Sequence, residues 1–188
     1  MRFAPLALSL AIAGALALAG AVPAAAQIIN GTFDNGLTGW TVTTTGGGAA
    51  TVFSNGNPAP GARLWNGFGQ AGSATLTQTF NCGGGSDGSC SVSLEYAADA
   101  VHGSNMVVTI TLDNVVMYTA NHNGSVTAYT PVQFSVPCGQ HTLAITASST
   151  STSLFSNWMT FVDNVTASCV PAVSTEGSTW SSLKAIYR

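Results

Sequence analysis

Apolar and polar residues alternate along most of the chain, and the alternating runs are cut by clusters of Gly, Asn, Pro and Ser. A period of two predicts strands, and the clusters predict tight turns between them. In residues 74–82, Leu76, Gln78 and Phe80 fall on one face and Thr75, Thr77 and Thr79 on the other. In residues 91–98, Val92, Leu94 and Tyr96 point inward and Ser93, Glu95 and Ala97 outward. Residues 106–120 predict a hairpin about the two-residue turn Asp113-Asn114. It pairs Leu112 with Val115, Ile110 with Met117 and Val108 with Thr119 on the core side. Thr111 with Val116 and Thr109 with Tyr118 then occupy the other side, which turns Tyr118 outward. Val132, Phe134 and Val136 give a further inward face, and Leu143 and Ile145 the next. Shorter strands are expected over 41–45, 50–54 and 63–66.

Two stretches at the ends of this pattern organise the rest. Residues 28–40 read as a first strand carrying Asp34, then a Gly-rich turn, then Trp40 as a core residue. Residues 158–167 read as its partner, with Phe161, Asp163 and Val165 on one face. Strands recurring about every 8–12 residues, with turn signals between them, predict an all-β sandwich or barrel.

Length allows one domain in 188 residues. Residues 1–26 stand outside it: Arg2 precedes an apolar run over 6–22, and Ala24-Ala25-Ala26 supplies small residues for cleavage. That is the pattern of a signal peptide, so a secreted protein beginning at Gln27 is expected, with no membrane span after cleavage. The sandwich then covers 27–170. Residues 171–188 change composition: a linker leads into Trp180, Leu183, Ile186 and Tyr187 at helical spacing, a short amphipathic tail. Without Arg2, three basic residues face seven acidic ones, a net charge of −4. Nothing in that balance offers a nucleic acid an electrostatic footprint.

Cys82, Cys90, Cys138 and Cys169 allow three pairings, all open to a secreted chain. Spacing favours Cys82–Cys90, which closes a Gly-rich loop, and leaves Cys138–Cys169, placed as the ends of an antiparallel pair around residues 148–156. No C-x-x-C spacing speaks for zinc. Catalytic signals are poor. Glycoside hydrolysis needs two carboxyls about 5–9.5 Å apart, whereas Glu95 and Asp99 sit roughly 13 Å apart along one strand face. No Gly-x-Ser-x-Gly elbow occurs. A non-enzyme is expected.

Asn30-Gly31-x-Phe33-Asp34, then Gly39-Trp40, then Phe161-Val162-Asp163-Asn164-Val165 resembles the galactose-binding-like jelly-roll sandwiches, most nearly the carbohydrate-binding modules appended to bacterial glycanases. Leu76-x-Gln78-x-Phe80 and Gly139-x-His141-x-Leu143 fit the same pattern. The resemblance implies a jelly roll of two antiparallel sheets. It also implies a structural calcium tying the first strand to the last. Its ligands would be the Thr32 carbonyl, the Asp34 and Asp163 carboxylates and a backbone carbonyl near Arg63. Hard oxygens and paired acids suit that ion, although the second acid that many relatives carry at 58–62 is missing here. Sugar binding needs flat aromatic faces beside planar polar groups. The candidates are Trp65, Phe68, Tyr118, His122 and Trp158, with Asn66 and Asn121 as polar neighbours. Two functions follow: a secreted, non-catalytic module for a polysaccharide or other glycan, or a surface or adhesive protein that reuses the fold without a sugar site. In the second, residues 172–188 would be the attachment or sorting signal.

Overall fold

The computed structural model describes residues 28–83, 88–101 and 105–170. The expected signal peptide and the tail at 171–188 lie outside the described residues. Ten strands follow one another: β1 (Thr41–Gly46), β2 (Gly48–Phe53), β3 (Gly61–Asn66), β4 (Gly72–Cys82), β5 (Ser89–Val101), β6 (Met106–Leu112), β7 (Val115–His122), β8 (Ser125–Pro137), β9 (Gly139–Ser149) and β10 (Asn157–Val170). They form two five-stranded sheets, ordered β1-β4-β9-β6-β7 and β2-β3-β10-β5-β8. Every neighbouring pair is antiparallel. The fold is the jelly-roll sandwich that the resemblance implies.

The inward residues of the two sheets meet in one core. Leu76, Val92, Leu94, Tyr96, Leu143 and Ile145 are all essentially fully buried, as their alternation predicts. Gln78 belongs to this inward set and has a reason to be polar. Its Oε1 accepts from the Ile29 amide at 2.6 Å, and its Nε2 donates to the carbonyls of Ile29 at 2.9 Å and Gly39 at 3.0 Å. A buried amide with both ends satisfied pins the entering chain to β4.

Four expectations are corrected. Residues 28–39 are not a strand but a series of hydrogen-bonded turns, with Phe33, Gly36, Thr38 and Trp40 donating to Asn30, Phe33, Asn35 and Leu37. Asn30 and Phe33 have φ of 52° and 58°, which no strand accommodates. The contact with the last strand survives as one bond, Val165 N to Gly31 O at 3.0 Å. A Cβ on Gly31 would lie 1.9 Å from the Val165 oxygen, so only glycine permits this approach. Second, β9 and β10 do not pair; they lie in opposite sheets. Third, a bulge between Asp163 and Thr166 exchanges the faces of β10. Trp158, Thr160 and Val162 point inward ahead of it, so Phe161 faces out while Asp163 and Val165 are buried. Fourth, the register between β6 and β7 slips after Ile110, which pairs with Tyr118 rather than Met117. One extra residue moves Tyr118 to the core side.

The cysteines converge at one end of the sandwich. Cys82 and Cys90 are bonded as expected, with Cα atoms 6.0 Å apart. Cys169 is the cross-strand partner of Cys90, and its Sγ lies 3.1 Å from that of Cys82. The expected Cys138–Cys169 bond is not formed: both are thiols in side-chain contact with each other, and burial and the neighbouring sulfur push the Cys138 thiol up.

The hairpin tip is latched to the turn before β9. His141 Nδ1 lies 2.7 Å from Asp113 Oδ2 and its Nε2 lies 2.8 Å from the Pro137 carbonyl. Both partners are acceptors, so the ring satisfies both only as an imidazolium. Burial pulls the imidazole down, but the bonds to Asp113 and Pro137 outweigh it and leave the His141 pKa raised. The bond from His141, then that from the Thr142 amide, holds the Asp113 carboxyl below its usual value. A raised folded-state pKa stabilises below the unfolded value and loses that contribution as pH rises through the folded one; the depressed Asp113 does the reverse at low pH. The latch is therefore strongest between the carboxylate range and about pH 6.5. The His141 contribution is expected to fall as pH rises from 6 to 8, while the lowered His122 pKa works in the opposite sense. In urea titrations His141→Gln should remove the falling part, so the variant should lose less stability, or gain more, than wild type over that range; an identical pH dependence in the two proteins would remove His141 as its cause.

Candidate functional site

The outer face of the sheet β2-β3-β10-β5-β8 gathers aromatic residues from strands far apart in sequence. Alternation along β3 turns Ala62, Leu64 and Asn66 into the core and leaves Arg63 and Trp65 outside. Register sets Arg63 between Thr51 and Phe161, and Trp65 between Ala49 and Met159. One strand further on, Phe161 and Met159 neighbour Ala97 and Asp99. Phe53, at the end of β2, lies with its ring centroid 6.0 Å from that of Phe161. The Arg63 guanidinium carbon sits 4.4 Å from the Phe53 ring centre and 5.0 Å from that of Trp65. Such cation–π contacts contribute about 0.5–2 kcal/mol each, more as water is excluded. Arg63 is the sole Lys or Arg among the described residues. Its Nε and the Trp65 Nε1 are both buried with no hydrogen-bond partner.

Tyr129 completes the face. Between Tyr96 and Ala98 the β5–β8 register shifts, and the extra residues on β8 carry Tyr129 out of the ladder. Its hydroxyl donates to the Asn55 carbonyl, in the loop that follows β2. The two edge strands of the sheet are thereby joined across its outer surface. Beneath this link lies a cavity of about 380 Å³ walled by Phe53, Arg63, Asp99, Tyr129, Met159 and Phe161, among others. Burial first, then the charges of Asp163 and Glu95, pushes the Tyr129 hydroxyl up to about 12, so it remains a donor at neutral pH. A floor of ring faces, with an arginine, a carboxylate and a carbonyl at its margins, can stack on an apolar ligand face and hydrogen-bond its rim.

The ligand residues expected from sequence are distributed over several places. Trp65 is on this face. Phe68 lies on the loop after β3 and is 63% exposed. Asn66 is buried as a bracket: its Oδ1 accepts from the Trp158 amide at 2.9 Å and its Nδ2 donates to the Gln70 carbonyl. Trp158 is wholly buried in the core. Tyr118 and His122 join an inner network around Tyr96, whose hydroxyl lies 2.8 Å from that of Tyr118 and 3.2 Å from His122 Nε2. Burial, reinforced by the Tyr118 bond, raises the Tyr96 pKa, and burial lowers that of His122. Asn121 is exposed beside a second cavity of about 380 Å³, together with Asn105, Val107, His122, Asn123 and Thr150. Phe53, Tyr129, Met159, Phe161 and the Arg63 side chain were not among the expected ligand residues. The signal for one of them was present: Arg63 is separated from the expected Trp65 by one residue on one strand, so the two must share a face.

The expected metal residues lie at the seam between the first turns and β10. Asp163 is completely buried and accepts from the amides of Asn57 at 2.5 Å and Asn164 at 2.7 Å. Glu95, its cross-strand partner, accepts from Asn57 Nδ2 at 2.9 Å and Asn164 Nδ2 at 3.2 Å. Asp34 is exposed and accepts from the Thr32 hydroxyl at 2.6 Å. Burial raises the Asp163 pKa, the two amide bonds oppose this, and the Glu95 and Asp34 charges add to the rise. Arg63 is paired on both sides, so its own carbonyl belongs to the ladder. Among the described residues no three His, Cys, Asp or Glu side chains form a metal-binding group. A cation here would rest on the Asp34 and Asp163 carboxylates and on carbonyls such as that of Thr32. That donor set is all hard oxygen, and the acids it contains repel one another without a cation.

No family model matches the sequence, and no curated protein matches it. Solved structures do match in fold. A family 61 carbohydrate-binding module in complex with β-1,4-galactotriose aligns with a TM-score of 0.51 at 12% identity, over 77% of this chain and 97% of the module. A structure from work on carbohydrate-binding modules of the β-sandwich superfamily aligns at 0.50 and 12% identity, over 72% of this chain and 60% of that one. The K3 cleaved adhesin domain of Lys-gingipain from Porphyromonas gingivalis aligns at 0.53 and 12% identity, over 78% of this chain and 98% of the domain. At such identities the likeness is one of fold.

Proposed function

We propose that this is a secreted, non-catalytic carbohydrate-binding protein whose site is the outer face of β2-β3-β10-β5-β8. The observation that carries the reading is the row of Phe53, Arg63 and Phe161 lining a cavity on rigid strands, with the Trp65 ring against Arg63 at its side. Sugar rings present C–H faces to stack on aromatics and hydroxyls to meet Arg63, Asp99 and the Asn55 carbonyl. The fold shared with carbohydrate-binding modules raises the prior without fixing a ligand. A non-catalytic role is favoured because Asp163, the acid nearest to Glu95 by register, has no solvent-exposed surface. Secretion is supported by the signal-like residues 1–26 and the Cys82–Cys90 bond. The test is affinity electrophoresis of the purified protein through gels containing a panel of plant and bacterial polysaccharides. Retardation by at least one class is expected, and free migration through all of them would sink the reading.

Calcium at Thr32, Asp34 and Asp163 is a further part of the proposal. When bound, the ion would neutralise the acids and fasten the first turns to β10. At 100 times its dissociation constant a ligand adds about 2.7 kcal/mol of stability, a rise in Tm of roughly 5–10 °C in a domain of this size. Differential scanning fluorimetry with calcium and with EGTA should show that rise in wild type and lose it in Asp34→Asn. Identical curves for wild type would discard the ion.

A further inference from the structure

We infer that the glycan taken by this face is acidic, and that Arg63 grips a sugar carboxylate. The inference rests on the binding reading above and narrows its ligand class. Arg63 is the one Lys or Arg among the described residues, and it stands in the aromatic row. The one ion pair among those residues joins His141 and Asp113, at the other sheet, so Arg63 has no counter-ion within pairing distance among the described residues. A half-buried cation without a counter-ion is costly unless something outside the chain compensates it. Phe53 and Trp65 stack against the guanidinium and limit its rotation, so its N–H edges are preset as a fork. That fork matches the two oxygens of a carboxylate, whereas a neutral sugar hydroxyl satisfies one donor at a time. Asp99, across the cavity, is placed to accept from ring hydroxyls, which a uronic acid keeps. The chemistry on the page therefore fits a uronate residue within a polysaccharide: a ring to stack, hydroxyls for Asp99 and a carboxylate for Arg63.

The probe is one polymer in two charge states, polygalacturonate and its fully methyl-esterified form, titrated into the full-length protein by isothermal titration calorimetry. Charge-assisted hydrogen bonds predict binding roughly 10- to 100-fold tighter for the free acid. Arg63→Gln should bring the two polymers to the same affinity, and Arg63→Lys should restore part of the preference. The wild-type comparison stands even if a variant fails to fold. Equal affinity of wild type for both forms overturns the carboxylate assignment, as does binding confined to a neutral galactan or to a sulfated one; in each case the face remains a glycan site. Absence of binding to any of these polymers, or to the gel panel, overturns the site itself.

Discussion

Trp158→Ala is expected to cost about 3–5 kcal/mol of stability and to lower Tm by roughly 10 °C or more. Trp158 has no exposed surface and lies among the largest buried side chains of the core. It belongs to β10, the central strand of its sheet, and its amide is held by Asn66 from the end of β3. Truncation would leave a cavity that strands fixed on both sides cannot close. The Trp158 Nε1 has no hydrogen-bond partner, so Trp158→Phe removes a buried donor while keeping most of the ring. The phenylalanine variant should lose less than half of what the alanine variant loses. A melting curve for Trp158→Ala that overlays wild type would mean that the ring is not in the core.

The second large effect is on binding. Trp65→Ala should weaken polysaccharide binding by about 2 kcal/mol, some 30-fold, while lowering stability by only about 1 kcal/mol. The asymmetry follows from alternation: Trp65 faces outward on β3, opposite in direction to Leu64 and Asn66. Truncation removes one stacking surface and also one wall of the Arg63 stack, so the loss should exceed that of Phe68→Ala, whose ring stands on the loop after β3. Affinity electrophoresis of both variants decides the point. A Phe68→Ala protein weaker than Trp65→Ala would move the site from the sheet face to the loops.

Much of the fold can be read directly from the alternation of β4, β5 and β9, because each has one buried side and a period of two reports it without ambiguity. Single extra residues defeated the reading elsewhere. The bulge after Asp163 places Phe161 and Val165 on different sides of β10 although they are four residues apart, and the slip after Ile110 turns Tyr118 inward. Neither bulge has a Gly or Pro to announce it. Residues 28–39 carry β-branched side chains, yet positive φ at Asn30 and Phe33 folds them into turns. The site was less legible for a topological reason. Phe53, Arg63, Tyr129 and Phe161 come from four strands, β2, β3, β8 and β10, of which only β2 and β3 follow one another in the chain. Which of them share a surface depends on strand order, and alternation within one strand carries no information about that.

The scarcity of charge has a consequence for how the molecule should respond to ionic strength. Mobile ions screen exposed charges beyond roughly a Debye length, about 10 Å at 0.1 M. Among the described residues they find one His–Asp pair to weaken, with Asp113 about half exposed, one guanidinium, and the carboxyls of Asp34, Glu95, Asp99 and Asp163. Unfolding midpoints should therefore barely move between low and moderate salt at neutral pH. The sodium chloride dependence of ligand affinity would then report chiefly on the charges at the cavity, Arg63 and Asp99, because the fold supplies so little other electrostatics to confuse it.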